Sequence, residues 1–184
     1  MQKILGYMRR AIQEYGLIDD GDRICVGVSG GKDSLVLLMG MILLRRFIGI
    51  DYEIVAVTID PQFNGVAGNY SSVEKLCADN GVEYHILPTH IGEIVFDVRK
   101  EPNPCSLCAR MRRGALHDAT LEYNCNKIAL GHNYDDVVET FVMNLQTPPI
   151  ALPVLPNINL RIPIPALLKA SKIFIFLVLL SFIF

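Results

Sequence analysis

The chain has 184 residues, of which 51% are hydrophobic and 20% are charged, so it is long enough for one domain with a buried core and too apolar for a disordered protein. Its net charge of −2 argues against a protein wrapped in nucleic acid, and any such contact must come from a local patch. Five cysteines without an N-terminal signal sequence indicate the reducing cytosol, where a close cysteine pair means metal or redox chemistry more often than a structural bridge.

Residues 1–146 are predicted to form one domain. It begins with an N-terminal helix at about residues 1–20, and strand and helix patterns alternate after that helix. The predicted strands are 23–28, 52–59, 84–87 and 127–130, and the predicted helices are 35–44, 69–80, 106–124 and 135–145. Because the strand interiors are apolar on both faces, the pattern predicts an α/β fold with a parallel sheet and helices on both faces. Such sheets bind ligands where loops leave the carboxyl ends of the strands.

The first of these loops is SGGKDS, residues 29–34. A glycine-rich turn that enters a helix presents free N–H groups to an anion, and the helix dipole favours negative charge there. The alternative is a tight turn in which glycine only supplies unusual backbone angles. The spacing differs from the Walker A motif because Asp33 follows Lys32 where that motif has a hydroxyl. A carboxylate inside the loop suits a site that handles pyrophosphate together with Mg²⁺.

SGGKDS after an apolar strand resembles the signature of the PP-loop ATP pyrophosphatases. The resemblance implies a Rossmann-like fold that cleaves ATP to AMP and pyrophosphate while adenylating an oxygen of a substrate. It also implies that the loop surrounds the pyrophosphate end of ATP, that Lys32 neutralises charge, that Asp33 is catalytic, and that Asp60 lies beside the nucleoside. The implied loop contacts are Ser29, Gly30, Gly31, Lys32, Asp33 and Ser34.

A cysteine pair, Cys105 and Cys108, opens the predicted helix after Pro104. Residues three apart lie on one helical face, so both sulfurs can reach one metal. The alternatives are core cysteines or a redox dithiol, because a metal site usually needs more protein ligands than two. Cys125 could join the pair, although its spacing does not require this.

The order SGGKDS, CSLCARMRRGAL and KIALGHNYDDVVET is similar to the tRNA 2-thiocytidine synthetase branch of the PP-loop family. That branch implies that Cys105 and Cys108 hold a [4Fe-4S] cluster with a third cysteine from further downstream, which has no match in this chain. It also implies tRNA as the substrate and a sulfur donor such as a cysteine desulfurase. A homodimer is compatible with the resemblance. The arginines at 110, 112 and 113 are then either a solvated helical face or contacts to RNA phosphates.

The third motif is GHNYDDVVET, residues 131–140. Acidic residues in a first helical turn stabilise the helix dipole, which gives Asp136 and Glu139 a structural explanation. Stabilisation of the helix dipole does not explain His132, which lies beside Gly131 at the end of a predicted strand. The family resemblance implies that Gly131 and His132 contact the nucleotide and that Asp135 takes part in catalysis.

Residues 147–184 differ in character from the rest of the chain. They hold only three charged residues and six of the ten prolines, and they end in KIFIFLVLLSFIF. This run is shorter than the ~20 residues that a membrane-spanning helix needs, so membrane association of the tail is a weak alternative. Since the family-like sequence stops near Leu145, we expect a truncated or frameshifted tail, poor solubility and a chain that lacks thiolation activity.

The function that these motifs indicate is ATP-dependent tRNA thiolation with ATP, Mg²⁺ and a [4Fe-4S] cluster. An anticodon-loop cytidine is adenylated, and sulfur then replaces its O2. Two alternatives are another PP-loop enzyme, such as a tRNA-Ile lysidine synthetase, and a nucleotide-binding module without catalysis. Another PP-loop enzyme would share the ATP loop and would not require the cysteine pair.

Overall fold

The computed structural model describes residues 1–100 and 104–133, together with the backbone of 175–181. The helices are α1 (Gln2–Tyr15), α2 (Lys32–Leu44), α3 (Ser71–Asp79), α4 (Ile91–Glu93) and α5 (Pro104–Glu122). The strands are β1 (Asp22–Gly27), β2 (Tyr52–Asp60), β3 (Glu83–Pro88), β4 (Lys127–Asn133) and β5 (Ile175–Ser181).

The strands form one sheet in the order β3-β2-β1-β4-β5. Strands β1 to β4 are parallel, with Val26 of β1 opposite Ala56 of β2 and Ala129 of β4. The chain adds β2 and β3 on one side of β1 and then returns to place β4 on the other side. The winding direction therefore reverses at β1, and ligands of such sheets bind at the carboxyl ends of the strands on either side of that reversal.

Two buried clusters lie on opposite faces of the sheet. On one face α1, α2 and α3 pack against strand residues such as Ile24 and Val26. On the other face α4 and α5 pack against Cys25, Val55 and Val57. Adjacent residues of β1 and β2 thus enter different cores, which confirms the predicted parallel sheet with helices on both faces.

The apolar end of the chain contributes β5, which pairs antiparallel with β4 so that Leu130 lies opposite Val178. Sequence reasoning predicted no strand here and treated this segment as foreign to the domain. An antiparallel edge strand on a parallel sheet is a common arrangement in α/β proteins. None of the helices among the described residues is both long and apolar enough to cross a membrane.

The segment after β3 was also not predicted. Its helix α4 continues directly into a π-helical stretch, Ile94–Arg99. It faces a single 3₁₀ turn, Phe63–Gly65, in the connection that follows β2. The N-terminal helix, predicted at about residues 1–20, ends five residues earlier, at Tyr15. The remaining predicted elements have ends shifted by up to three residues, and β4 extends past its predicted end to Asn133. The predicted helix 135–145 lies outside the described residues.

Candidate functional site

The loop between β1 and α2 lies at the carboxyl end of the central strand. Ser29, Gly30, Gly31 and Lys32 are exposed there, and Asp33 is half-buried in the first turn of α2. Gly30 has φ +79°, a conformation that favours glycine. The first N–H groups of a helix have no partner within that helix, so the start of α2 offers donors to an anion beside the cation of Lys32.

Two hydroxyls hold the shape of this loop. The buried Ser34 donates a hydrogen bond from Oγ to the carbonyl of Gly31 at 2.9 Å, and its Oγ accepts one from the N–H of Ser29 at 3.2 Å. The Oγ atoms of Ser29 and Ser34 are 3.2 Å apart. Ser34 was predicted to contact pyrophosphate, and here its hydroxyl is engaged within the loop. The loop backbone is therefore fixed in advance of any ligand.

The end of β4 touches the start of α2. A Cβ atom added to Gly131 would lie 2.9 Å from the carbonyl carbon and oxygen of Asp33 and from the N of Ser34. These are backbone atoms, so the space cannot be made by turning a side chain. The structure therefore brings the predicted residue Gly131 against the phosphate-type loop, with His132 exposed directly after it.

We predict that Gly131→Ala weakens ATP turnover, because the added methyl pushes β4 away from the backbone of Asp33 and Ser34. Overpacking of this kind typically destabilises a fold by about 1–3 kcal/mol. Because a misplacement of about 1 Å at a site can cost roughly 10²-fold in rate, kcat/KM for ATP should fall roughly ten-fold or more. Gly114→Ala in α5 is the matched control, since nothing lies within 4 Å of its added Cβ. Pyrophosphate release measured on both folded variants checks this, and equal rates would contradict it.

Asp60, at the end of β2, is buried and holds the following loop. Its Oδ2 accepts a hydrogen bond from the N–H of Gly68 at 3.0 Å, and its Oδ1 accepts one from the hydroxyl of Tyr70 at 3.3 Å. The N–H of Gln62 adds a third bond, at 3.2 Å to Oδ1. Asp60 was predicted to lie beside the nucleoside. In the structure both of its carboxylate oxygens accept hydrogen bonds from the loop 61–70 and hold that loop in shape.

Tyr70 holds that loop to Asp60 through its hydroxyl, and sequence reasoning missed it. Burial and the carboxylate of Asp60 raise the pKa of Tyr70, while the charge of Arg112 on α5 acts in the opposite direction. Arg112 is thus near enough to this ring to act on it electrostatically, whereas Arg110 and Arg113 are exposed. No short motif would have revealed Tyr70, because its partners come from two separate elements.

The predicted cysteine pair lies in the first turn of α5, which begins at Pro104. Proline suits the first position of a helix because its missing N–H would be unpaired there. The Cys105 side chain is exposed, and Cys108 is half-buried against the cluster that contains Leu107. One thiol is therefore open to a ligand and the other is anchored against the core.

Cys125 does not join this pair. It is buried, and its thiol donates a weak hydrogen bond to the carbonyl of Tyr123 at 3.7 Å. The neighbouring thiol of Cys25 lowers the pKa of Cys125, and that of Cys125 raises the pKa of Cys25. Within residues 1–100 and 104–133, no three histidine, cysteine or acidic side chains form a group able to hold a metal ion. The donors at Cys105 and Cys108 fit two positions of an iron–sulfur cluster, and a third donor would have to come from other residues.

Not every predicted site residue can be placed. Asp135, together with Asp136 and Glu139, lies outside the described residues. Those that are placed fall into two groups: the loop 29–34 with Gly131 and His132 at the carboxyl ends of β1 and β4, and the cysteine pair at the start of α5.

Comparison with known proteins gives concordant matches. The family model of the PP-loop domain matches residues 5–155. A tRNA-cytidine(32) 2-sulfurtransferase of Geotalea daltonii is 46% identical over 144 residues, which cover 78% of this chain and 56% of that protein. The protein of the same name from Geobacter sulfurreducens is 42% identical over 144 residues, and the match covers 55% of that protein. This chain thus spans about half the length of the curated relatives that it matches.

A solved structure is also similar. The U34-tRNA thiolase NcsA from Methanococcus maripaludis, determined with its [4Fe-4S] cluster, superposes with a TM-score of 0.61 at 25% identity. The match covers 77% of this chain and 49% of that chain. Its parallel sheet with flanking helices is the same fold.

Proposed function

The chain belongs to the PP-loop domain family, and on that premise we propose that it is the ATP-binding part of a tRNA-thiolating enzyme that acts on cytidine. The observation that carries the proposal is the contact of Gly131 with the backbone of Asp33 and Ser34. This contact joins the loop 29–34 and the GH dipeptide into one site at the reversal point of the sheet. The names of the relatives support tRNA cytidine as the substrate.

In this proposal ATP lies with its phosphates over the start of α2. The N–H groups in the first turn of α2 and the helix dipole would bind the β- and γ-phosphates, with Lys32 adding a cation. Asp33 would hold Mg²⁺, because its carboxylate is the oxygen ligand that this hard cation prefers. Ser29 and Ser34 would keep the loop in place, and His132 would lie beside the nucleotide. Asp60 would position the loop 61–70 without touching the ligand.

The reaction is the transfer of AMP to an RNA base. The O2 of cytidine attacks the α-phosphorus, the bond from that phosphorus to the bridging oxygen breaks, and pyrophosphate leaves with the electron pair. The fixed N–H donors and Lys32 would stabilise the negative charge on the phosphate oxygens. AMP bound to O2 is then a leaving group that sulfur can replace at C2. Asp135 is proposed to assist this chemistry.

Cys105 and Cys108 would supply two ligands of a [4Fe-4S] cluster, whose chemistry is to present a sulfur species to the adenylated base. Sulfur would reach it from a donor such as a cysteine desulfurase. All five thiols are free, which suits a cytoplasmic setting. Arg110 and Arg113, exposed one turn beyond the cysteines, are proposed contacts to tRNA phosphates, which fix position and carry no sequence information.

Pyrophosphate exchange tests the proposal and separates it from its alternatives. The purified chain is incubated with ATP, Mg²⁺ and labelled pyrophosphate, with and without unmodified tRNA. We expect incorporation of label into ATP that depends on tRNA and is lost when the target cytidine is replaced by uridine. Covalent incorporation of labelled lysine into the tRNA would indicate a lysidine synthetase, and ATP binding with no exchange under any condition would indicate a non-catalytic module.

A further inference from the structure

The loop 29–34 leaves the sheet through the peptide group that joins Val28 to Ser29. The N–H of Val28 donates to the carbonyl of Val57 at 2.8 Å, which extends the pairing of β1 with β2 by one residue beyond the end of β1. The next peptide group is the first that belongs to the loop. Because a peptide group is planar, its orientation sets the direction in which the loop starts.

Side chains from two different elements hold the polar atoms of this peptide group. The carbonyl of Val28 accepts a hydrogen bond from Oγ1 of Thr58 in β2 at 2.7 Å. The N–H of Ser29 donates to Oγ of Ser34 in α2 at 3.2 Å. The carbonyl and the N–H lie on opposite edges of the peptide plane, so the two bonds together prevent the plane from turning.

Tyr84 of β3 holds Thr58 in turn. The two hydroxyl oxygens are 2.9 Å apart. A hydroxyl has one proton to donate, and Thr58 donates its proton to Val28, so the proton in the second bond comes from Tyr84. Burial raises the pKa of Tyr84, and its phenol therefore keeps that proton near neutral pH. A directed chain of hydrogen bonds thus runs from Tyr84 through Thr58 to the start of the loop.

Packing alone does not account for a threonine at this place. Thr58 is 1% exposed and interrupts the apolar stretch 54–59 of β2. A buried hydroxyl costs free energy unless it is hydrogen-bonded, and valine would fill the same space without that cost. Tyr84 is half-buried against the cluster that contains Val73 of α3, so its ring is held in place. The bond to Val28 therefore explains the hydroxyl of Thr58.

We propose that Thr58, oriented by Tyr84, is a positioning residue of the ATP site. The inference rests on the proposed function and deepens it. Thr58 acts through the Val28–Ser29 peptide group, and it keeps the loop and the first turn of α2 in the conformation that receives the phosphates. A loop that is already ordered binds its ligand without the free-energy cost of ordering it, and it keeps Lys32 and Asp33 in place.

Thr120 supplies a matched control. It is fully buried in α5, and its Oγ1 donates to the carbonyl of Leu116 at 2.7 Å, the same length as the bond from Thr58 to Val28. Helix α5 packs on the opposite face of the sheet from α2. Thr120→Val therefore removes an equally buried hydroxyl without touching the loop 29–34. A hydroxyl that only stabilised the fold would behave alike at both positions.

Binding of Mg²⁺-ATP to the full chain, measured by titration calorimetry without tRNA, tests the proposal. We expect Thr58→Val to bind roughly ten-fold more weakly than the parent chain, and Thr120→Val to bind as the parent does. Thr58→Ser keeps the hydroxyl and should also bind as the parent does. The rate of tRNA-dependent pyrophosphate exchange should fall about ten-fold or more in Thr58→Val, because misplaced catalytic groups reduce turnover.

Hydrogen–deuterium exchange of the backbone amides gives a readout that does not depend on activity. In Thr58→Val the amides of residues 29–34 should exchange faster, because the peptide plane at the start of the loop is held on one edge only. The same amides should exchange in Thr120→Val as in the parent chain. Circular dichroism melts should show a similar loss of stability in both valine variants.

Tyr84→Phe provides a second test that leaves Thr58 in place. It removes the bond to Thr58 and should weaken ATP binding in the same direction by a smaller factor. Its control is Tyr52→Phe, since the buried hydroxyl of Tyr52 donates to the carbonyl of Met41 at 2.7 Å, away from the loop. If Thr58→Val does not fold, the comparison of these two phenylalanine variants decides, and equal ATP affinity in both overturns the proposal.

The outcomes separate this inference from the proposed function. Equal ATP affinity and equal amide exchange in Thr58→Val and Thr120→Val overturn the positioning role, as does Thr58→Ser that binds as weakly as Thr58→Val. A parent chain that binds ATP and shows no tRNA-dependent exchange overturns the proposed function, while binding and amide exchange still decide the role of Thr58. If the parent chain does not bind ATP, both proposals fail.

Discussion

Replacing Cys105 or Cys108 by serine is expected to remove all iron–sulfur absorbance from the chain after anaerobic reconstitution with iron and sulfide. The two thiols lie in the first turn of α5 on one helical face, with Cys105 exposed and Cys108 packed against the core. Serine keeps the shape of each side chain and removes the soft thiolate that iron prefers in such clusters. Iron content and the visible spectrum are the measurements.

Cys77→Ala is the control for this experiment. Cys77 is buried in α3, and burial raises its pKa to about 11. Its thiol therefore stays protonated near neutral pH and does not bind metal. The variant should retain the full absorbance of the parent chain. Stoichiometric zinc without iron in the parent chain would contradict the cluster assignment, as would absorbance that survives in Cys105→Ser.

The second large effect is expected for Asp33→Ala, which should abolish ATP-dependent pyrophosphate release while the fold stays intact. Asp33 lies half-buried in the first turn of α2, beside the proposed phosphate site, and its carboxylate is the oxygen ligand that Mg²⁺ prefers. Loss of one such charge-stabilising group reduces turnover by about 10²–10³-fold or more. Asp33→Asn should be similarly inactive, because it keeps the size of the side chain and loses its charge.

Asp79→Ala serves as the control, since Asp79 is an exposed acid at the end of α3. Pyrophosphate release is measured at saturating ATP and Mg²⁺, and unfolding is followed by circular dichroism. Unchanged turnover in a folded Asp33→Ala would overturn the ATP site. Equal losses in Asp33→Ala and Asp79→Ala would also contradict it, because the effect would then not depend on position.

The elements of the ATP loop could be predicted from sequence because each depends on neighbouring residues. An apolar β-branched run, a glycine turn and a long apolar helix follow one another from Arg23 to Leu44, and the structure has strand, loop and helix there. The position of Cys105 and Cys108 in the first turn of a helix was likewise predicted locally, from their spacing and from Pro104. The same reasoning placed helices on both faces, since the strands are apolar on both sides.

What sequence reasoning missed depends on contacts between distant residues. Ser34 was predicted to contact the ligand, whereas its hydrogen bonds to Gly31 and Ser29 depend on the folded conformation of the loop, which residue spacing does not show. The carboxylate of Asp60 is engaged with Gly68 and Tyr70, eight and ten residues away. The strand β5 depends on pairing with β4, more than forty residues earlier along the chain, and the apolar run itself gives no direction for that pairing.

The segment that follows β3 was missed for a different reason. In this short stretch Ile91 and Val95 are the apolar side chains that the structure buries, which is too few to define a helical period over a window of about 11–18 residues. Its second half is also π-helical, and π-helical turns are rare.

The transfer of AMP from ATP to RNA tests the central claim most directly. The full chain is incubated with ATP labelled at the α-phosphorus, Mg²⁺ and unmodified tRNA, with no sulfur source. We predict label bound to tRNA, one pyrophosphate released for each labelled cytidine, and neither product in Asp33→Ala. Orthophosphate and ADP as the only products, or label that never reaches RNA while ATP is consumed, would contradict the account.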